Sequence, residues 1–541
     1  MTLRRRSRWP GGRPHGRPRA RQGLRTRAGR QWELPPVVTA AIVTGSTWTG
    51  IMLVRLFVGG AIGTGDQGDS RRLMCQLGVR ALRPFAAEPA RFVYTTWTSH
   101  QWYGEACGAD GSGEPYHSSQ LVLLRLAKPV TQLLHFPGTL DLRALGIICA
   151  VLVGLAIAAL VLMLPGSIRM RIGIASLVGL AVAEGSVAQY FISPYSEPAA
   201  ILGIVALCAA LLWLWRAGES TWPRLIAVSA AATFTMLSKP QLVAVLPAVV
   251  LALLWLPHRP VSGEPRAPDS RDESPGVVRR LGAALADRWP ALVASAMLAL
   301  TAGVYLVQSP QRFSEISAAN QVFLDILPHS DDRAGDLRSL GVDPSLASGS
   351  GVGVDSPRSA LRTLPYLEFR KEVTQASILR FYLTHPDRLP RLAGEGLRGM
   401  GVWRQNYLGT YTPGSGHPPG ARECRICVYE QIFRAAHDQP VLVPLLWLAT
   451  LGWGIAVVRD RRLDAPSRAV GRLAVVLVAA AVSEFWATML SEGISDLYKH
   501  LIVTNFLTAL CVPALVACLL VRRARRLAAL GPKPKILPVV D

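Results

Sequence analysis

"LRALGIICAVLVGLAIAALVLML", residues 142–164, decides the fold class of this chain. Apart from Arg143, every residue in the stretch is apolar or glycine. A membrane-spanning α-helix needs about 20 consecutive, mainly apolar residues. The stretch therefore predicts a transmembrane helix.

The same pattern recurs along the chain, and the composition agrees with it. Of the 541 residues, 50% are hydrophobic and only 17% are charged, and the mean hydropathy is +0.28. Soluble domains carry more charge than this. We predict an all-α polytopic membrane protein with about ten transmembrane helices, at residues 37–61, 142–164, 172–191, 197–215, 224–238, 240–257, 290–308, 441–458, 469–490 and 500–521.

Arginine predicts the orientation of these spans. The net charge is +22, and eleven arginines lie within the first 30 residues. If this tail is cytoplasmic, each inside connection carries arginine, whereas the short outside connections "QYFISPYSEP", "SKPQ" and "SEGISDLYKH" carry none. Positive residues flank membrane spans on the cytoplasmic side. Both termini are therefore expected in the cytoplasm, and nucleic-acid binding is not expected because the tail has no such motif.

The span positions divide the chain into a transmembrane core with two long outer segments. Within the segment after the seventh span, "LRTLPYLEFRKEVTQASILRFYLTHPDRL" has apolar residues at helical spacing, which predicts one helix near the membrane surface, ending at Pro386, in a segment that is otherwise loop. The predicted parts are a disordered basic tail 1–35, a core 36–308 with outer loop 63–141 and inner linker 258–289, an extracytoplasmic segment 309–440, a core 441–521 and a basic tail 522–541.

Ionisable residues gather toward the predicted outer side. Arg55, Glu184 and Glu484 lie inside spans, in the outer half of the membrane, where charge is costly and usually faces a cavity or a partner. The alternative is that Arg55 snorkels to the surface while each glutamate contacts a neighbouring helix. Beside them, the outer connections hold Asp66, Asp69, Glu197, Lys239, Glu492, Asp496, Lys499 and His500.

The gathering of these charges on one side favours an outward-facing polar cavity. A cavity of this kind would suit group transfer from a phosphorylated carrier. Carboxylates can take a proton from an attacking hydroxyl or bind a divalent cation, and lysine, arginine and histidine can bind phosphate. No glycine-rich phosphate loop appears in an inside connection, so a soluble nucleotide donor is not expected. The donor should be borne by the membrane.

These motifs together resemble the GT-C superfamily of integral membrane glycosyltransferases. The similar features are an acidic pair in "GTGDQGDSRRL" after the first span, the turns "PYSE" and "SKPQ", and "DLYKHL" opening the last span. Within the superfamily, "NQVFLDILPHSDDRAGDLRSLGV" and "EGISDLYKHLIVTNFL" look most like the WsfD-type hexose transferases of bacterial glycan biosynthesis.

The resemblance implies transfer of a hexose from a polyprenyl-phosphate donor to a glycan or cell-wall polymer, at the outer face of the cell membrane. An acidic residue of the first outer loop would be the catalytic base or a ligand of Mg²⁺ or Mn²⁺, which matches Asp66 or Asp69. Lys499 and His500 match the residues that bind the lipid phosphate. The full set of expected substrate-binding or phosphate-binding residues is Arg55, Glu197, Lys239, Arg404, Asp496, Lys499 and His500.

The sequence alone leaves alternative interpretations open for several of these residues. Asp66 and Asp69 would share one face of a helix, or one of them would cap a helix; His500 could also serve as a cap. On an oxidising outer face the "CRIC" cysteines, Cys424 and Cys427, favour a disulfide over a metal site, and Cys75 with Cys107 is a second candidate pair. A transporter or lipid-linked-sugar flippase is the main rival function, and an envelope scaffold is another.

Overall fold

The computed structural model describes residues 34–66, 68, 70–83, 91–102, 116–216, 221–255, 277–354, 356–404 and 409–529. Its first half consists mainly of α-helices, most of them apolar. These helices are α1 (Pro36–Phe57), α2 (Arg71–Gln76), α3 (Gln120–Leu133), α4 (Leu142–Met163), α5 (Ile168–Ala183), α6 (Gly185–Ala188), α7 (Glu197–Arg216), α8 (Trp222–Met236), α9 (Leu246–Leu254) and α10 (Val277–Val307).

The second half begins with short helices and ends with three long apolar ones. A π-helical segment, Gln321–Ile326, follows the first of the short helices. In chain order they are α11 (Gln311–Asn320), α12 (Arg333–Ser339), α13 (Tyr366–Glu372), α14 (Gln375–Thr384), α15 (Leu389–Gly399), α16 (Val428–Asp438), α17 (Leu442–Arg459), α18 (Ala465–Ser491), α19 (Leu497–His500) and α20 (Ile502–Ala529).

Most of the predicted spans are long apolar helices, which confirms the all-α polytopic class. Among the described residues, seven helices are long and apolar enough to cross a membrane, namely α1, α4, α7, α10 from Arg288, α17, α18 and α20. An eighth span would be α5 with Gly185–Ile192, bent by 58°. The two predicted spans that flank "SKPQ" are shorter, because α8 has 15 residues and the second apolar helix runs only over Pro240–Leu254.

The bundle packs around α4 and α18. Helix α4 lies against α1, α5 and α7, and α18 lies against α17, α20 and α7. Helices α1 and α4 cross closely, since a Cβ atom on Gly45 would lie 2.6 Å from Gly154 O. Small residues allow such close contacts between membrane helices. The two long connections, between α1 and α4 and between α10 and α17, lie at one end of the bundle. At this end α1 and α18 end and α7 and α20 begin, and we call it the loop end.

A small antiparallel sheet, which the sequence analysis did not predict, lies in the connection between α1 and α4. Its strands are β1 (Val79–Ala81), β2 (Thr96–Ser99) and β3 (Leu140–Asp141). Trp97 pairs with Leu140 and is buried, whereas its neighbours in β2 are more exposed. This alternation is typical of a strand with one buried face, but four residues are too few to show it clearly in a sequence.

The prediction of a single helix before Pro386 is wrong. Two helices, α13 and α14, occupy this stretch, and Thr374 separates them. The Thr374 hydroxyl accepts the Ser377 N–H while the Ser377 hydroxyl accepts the Thr374 N–H, a capping box that starts a new helix. The expectation that the rest of 309–440 is loop is also wrong, since α11, α12, α15 and α16 lie there.

Candidate functional site

The stretch that follows α1, residues 62–66, packs tightly at the loop end. The Gly63 N–H donates to Thr410 O at 3.0 Å. A Cβ atom on Gly63 would lie 1.9 Å from Ile192 O, so a larger residue does not fit. This contact fixes the backbone that leads to Asp66.

Asp66 lies in a loop and not in a helix. Its Oδ1 accepts the Gly68 N–H at 2.8 Å, so the side chain closes a local turn. The N-cap residue of α2 is Ser70, so Asp66 does not cap that helix. The alternative in which Asp66 and Asp69 share a helical face is therefore wrong, because the backbone at Asp66 and Gly68 is not helical. Asp69 lies outside the described residues.

Helix α2 joins this loop to a buried tyrosine. Gln76 Nε2 donates to Tyr116 O at 2.5 Å, and the Tyr116 hydroxyl lies 3.3 Å from Ser238 O, to which it donates. Burial, together with the nearby Glu197 carboxylate, raises the pKa of the Tyr116 hydroxyl, which keeps it protonated. Through Tyr116 the loop after α1 meets the "SKPQ" turn.

Four ionisable side chains from distant parts of the sequence meet at this turn. Lys239 Nζ lies 3.5 Å from Glu197 Oε1 and 3.5 Å from His500 Nδ1. On its other side, His500 Nε2 lies 3.9 Å from Glu492 Oε2. We call Glu197, Lys239, Glu492 and His500 the loop-end cluster. It joins the start of α7, the turn after α8, the end of α18 and the end of α19.

Burial controls the protonation of two members of the loop-end cluster. Burial raises the pKa of Glu492, and the Ser317 hydroxyl, which donates to Glu492 Oε1 at 2.8 Å, acts in the opposite direction. Burial, with the positive charges of Lys239 and Lys499, lowers the pKa of His500 well below its usual value. The imidazole is therefore neutral near pH 7, with one ring nitrogen that accepts a hydrogen bond and one that donates.

The turn before α20 buries a second cation next to the cluster. Lys499 is buried, and its Nζ lies 5.2 Å from the centroid of the Tyr195 ring, a cation–π geometry. Asp496 adopts a left-handed backbone conformation with φ of 43°. Its carbonyl oxygen accepts the N–H groups of Lys499 and His500 at 2.9 and 3.3 Å. The turn thereby places both basic side chains at the loop end.

Unpaired buried polar atoms occur in this cluster and in α20, the helix that follows it. Glu197 Oε2 and both polar side-chain atoms of Asn505 are buried and have no hydrogen-bond partner among the residues that the structure describes. Glu484 is fully buried in α18, within electrostatic range of Lys239. Buried polar groups are normally hydrogen-bonded, so these atoms are available to a polar ligand or to water.

Arg55 and Arg404 belong to a different group of ion pairs. Arg55 pairs with Glu423, and Arg404 Nε donates to Glu430 Oε2 at 2.8 Å. Arg404 also donates to Glu423 O, which links the two pairs. The Arg55 side chain is only 2% exposed, so it does not snorkel to the surface. In the described part of the chain, no contact joins either arginine to the loop-end cluster.

The segment that contains Glu423 and Glu430 packs into the bend between α5 and α6. Gly185 N–H donates to Ile426 O at 2.7 Å, and Tyr429 N–H donates to Glu184 Oε2 at 2.9 Å. A bend inside a membrane helix leaves backbone groups unpaired unless neighbours satisfy them. For Glu184 the alternative reading, a contact with a neighbouring element, is therefore confirmed.

The predicted disulfide between Cys424 and Cys427 is present. Cys75 is also disulfide-bonded, and Cys107, its expected partner, lies outside the described residues. Cys427 Sγ lies near two carboxylates, but its sulfur is used in the disulfide, so this set is not a thiolate metal site. Asp66 is in no group of three potential metal ligands among the described residues. The Mg²⁺ or Mn²⁺ ion there stays a prediction.

The segment 309–440 also holds the end of α18, through residues that the sequence analysis missed. Gln321 Nε2 donates to Met489 O at 2.5 Å. Asp325, fully buried in the π-helical segment, accepts from Tyr382 at 2.8 Å and from Arg391 at 2.7 Å. The one signal for this network in the sequence is an aspartate within the apolar run "QVFLDIL". The network supports the turn that carries Glu492.

Comparison with known proteins adds a family. No curated protein and no solved structure is significantly similar to the chain. One family model, described as the YfdI N-terminal transmembrane domain, matches residues 30–530 and so spans all the apolar helices. The match supports a multi-pass membrane protein of the GT-C-like glycosyltransferase kind, without naming a donor or an acceptor. The chain belongs to the YfdI N-terminal transmembrane domain family.

Proposed function

We propose that this protein is a membrane glycosyltransferase that moves a hexose from a polyprenyl-phosphate donor to an extracytoplasmic glycan or cell-wall polymer. The observation that carries the proposal is the loop-end cluster, in which Lys239 lies 3.5 Å from His500 between two acidic side chains. Cations held at the ends of membrane helices suit a phosphate that arrives on a lipid. The predicted orientation puts this site at the outer face of the cell membrane.

In this proposal, basic side chains stabilise the departing lipid phosphate. Lys239 and Lys499 would contact the phosphate oxygens, and the neutral His500 would donate a hydrogen bond from its second ring nitrogen. Glu197 and Glu492 offset the positive charge before the donor binds. Such preorganised charges act most strongly where water is excluded. In the cluster Glu197 is buried, and the side chains of Lys239, Glu492 and His500 are each only about one-fifth exposed.

The acceptor hydroxyl would lose its proton to an aspartate of the loop after α1. Asp66 and Asp69 both stay candidates for this base, and a divalent cation at the pair would lower the pKa of the hydroxyl. Gly63, in the same loop as Asp66, lies in tight contact with Ile192 O, which fixes the backbone that leads to Asp66. Arg55 and Arg404 have a structural role in this proposal: they stabilise the position of segment 409–440, because each has its own acidic partner there.

The test is transfer from radiolabelled polyprenyl-phosphate hexose in membrane vesicles with the endogenous acceptor. We expect Asp66→Asn or Asp69→Asn, and also Lys239→Gln and His500→Gln, to reduce the rate about 10²-fold or more, the usual effect of losing acid–base or charge stabilisation. The exposed residues Asp331 and Lys371 provide matched controls, Asp331→Asn and Lys371→Gln, which should retain full activity.

Two results would reject the proposal. Transfer by all four site variants at the rate of the unchanged protein, at equal expression, would exclude this mechanism. Movement of the labelled lipid between leaflets without transfer of its sugar would instead identify the rival function, a flippase.

A further inference from the structure

A groove separate from the loop-end cluster lies between the end of α1, the small sheet and the start of α4. Its volume is about 690 Å³, within the roughly 300–1,000 Å³ of small-molecule sites. The side chains that decide its chemistry are Phe57, Tyr94, Thr95, Phe136, Arg143 and Thr412. With Thr96, the residues that line the groove include three aromatic side chains and three threonines.

The groove lies at the level where the helices end. Phe57 is the last residue of α1, and Arg143 is the second residue of α4. Two apolar residues beside it, Val58 and Leu82, are 57% and 62% exposed. A site at this height is reachable from the aqueous side and from the membrane surface.

The charge in the groove is already compensated. Arg143 donates from Nε and Nη2 to the two carboxylate oxygens of Asp141, both at 2.9 Å. The Arg143 guanidinium also lies 4.4 Å from the centroid of the Phe136 ring. A guanidinium with a bidentate partner and a covered face has little left to attract an anion. The groove therefore favours a neutral ligand over a phosphate.

The remaining polar groups suit hydroxyl-rich ligands. The side-chain hydroxyls of Tyr94, Thr95 and Thr412 have no hydrogen-bond partner within the described ranges. They lie in one groove with the rings of Phe57 and Phe136. Apolar ring faces with a few placed hydroxyls match a saccharide, which presents C–H faces and hydroxyl edges.

The groove shares a backbone segment with the loop of Asp66. Thr412 follows Tyr411, which pairs with Ile62, and Thr410 O accepts the Gly63 N–H. We propose that the groove binds a neutral segment of the glycan acceptor and guides it toward that loop. This inference rests on the proposed function, since it assigns the acceptor subsite of the same enzyme.

The test measures binding without the donor. The full-length protein in phosphatidylcholine nanodiscs is titrated into fluorescently labelled, neutral oligosaccharides from the envelope of the producing cells. We expect Tyr94→Ala and Thr412→Trp to weaken binding at least tenfold, and Tyr94→Phe to have a smaller effect. Ala376→Trp adds the same bulk at an exposed position on α14 and should bind like the unchanged protein.

Kinetics provide the second readout. In the transfer assay, with the neutral oligosaccharide added at increasing concentrations as the acceptor, Tyr94→Ala and Thr412→Trp should raise the half-saturating acceptor concentration about tenfold. The half-saturating donor concentration should stay unchanged. Unchanged glycan binding by Thr412→Trp would overturn the inference, as would competition by glycerol phosphate and not by neutral saccharide. If the unchanged protein binds glycan but transfers no sugar, the proposed function fails while the groove assignment stands.

Discussion

Lys239 Nζ lies 3.5 Å from His500 Nδ1, although 261 positions separate the two residues in the sequence. Beside an ammonium group, this imidazole nitrogen can only accept a hydrogen bond, so the ring proton of the neutral histidine is on Nε2. That proton points toward Glu492, 3.9 Å away. Lys239 and His500 together thus carry one positive charge and provide an N–H donor with a fixed direction.

The first prediction concerns acid stability. Because His500 has a lowered pKa, its side chain binds fewer protons in the folded protein than in the unfolded chain, and its contribution to stability falls as pH drops below about 6.5, the pKa in the unfolded chain. Lys239→Gln removes a positive neighbour and should move the pKa of His500 back toward its usual value. The loss of Tm between about pH 6.5 and 5 should therefore become smaller. Lys371→Gln serves as the control, and an unchanged pH profile in Lys239→Gln would contradict the prediction.

The second prediction concerns the pH dependence of transfer. The Ser317 hydroxyl donates to Glu492 and favours its ionised form. Ser317→Ala should raise the pKa of Glu492 further, so the acidic limb of the rate profile should move to higher pH. Ser348→Ala, an exposed substitution, should leave the profile unchanged. A uniform loss of rate at every pH would indicate that Ser317 only supports the fold.

The sequence was sufficient for the fold class because membrane spans follow from local composition. A run of about 20 apolar residues predicts a helix whatever it packs against. It was less informative for segment 309–440, where the helices are short and the decisive signal at Thr374 is a capping box. The small sheet is not predictable from the sequence for a similar reason, since short strands show little periodicity.

The candidate site was predictable only in part. The turns with Glu197, Lys239 and His500 could be grouped because topology brings all connections on one side together. The acidic partners of Arg55 and Arg404 could not be predicted, since ion pairs across hundreds of residues leave no local pattern. For this reason, Arg55 and Arg404, which the sequence predicts to bind phosphate, are instead paired with Glu423 and Glu430.

The third prediction tests the close contact under the Asp66 loop. In Gly63→Ala the new Cβ would lie 1.9 Å from Ile192 O, so the loop must move. Displacement of a catalytic group by about 1 Å can lower the rate about 10²-fold. Gly50→Ala in α1 is the matched control, because a Cβ there meets nothing within 4 Å. Full transfer activity in Gly63→Ala would show that the position of the Asp66 loop does not matter for transfer, and would contradict a catalytic role for this loop.

The fourth prediction separates a structural role for Arg404 from a catalytic one. Arg404→Met leaves Glu430 without its partner, and loss of one member of a buried ion pair costs about 3–5 kcal/mol. Replacing both residues, Arg404→Met with Glu430→Met, removes the uncompensated charge as well. We expect the double variant to recover part of the lost Tm and, once folded, to transfer sugar at near the normal rate. A double variant that is stable but inactive would contradict this prediction and would support a role for Arg404 in phosphate binding.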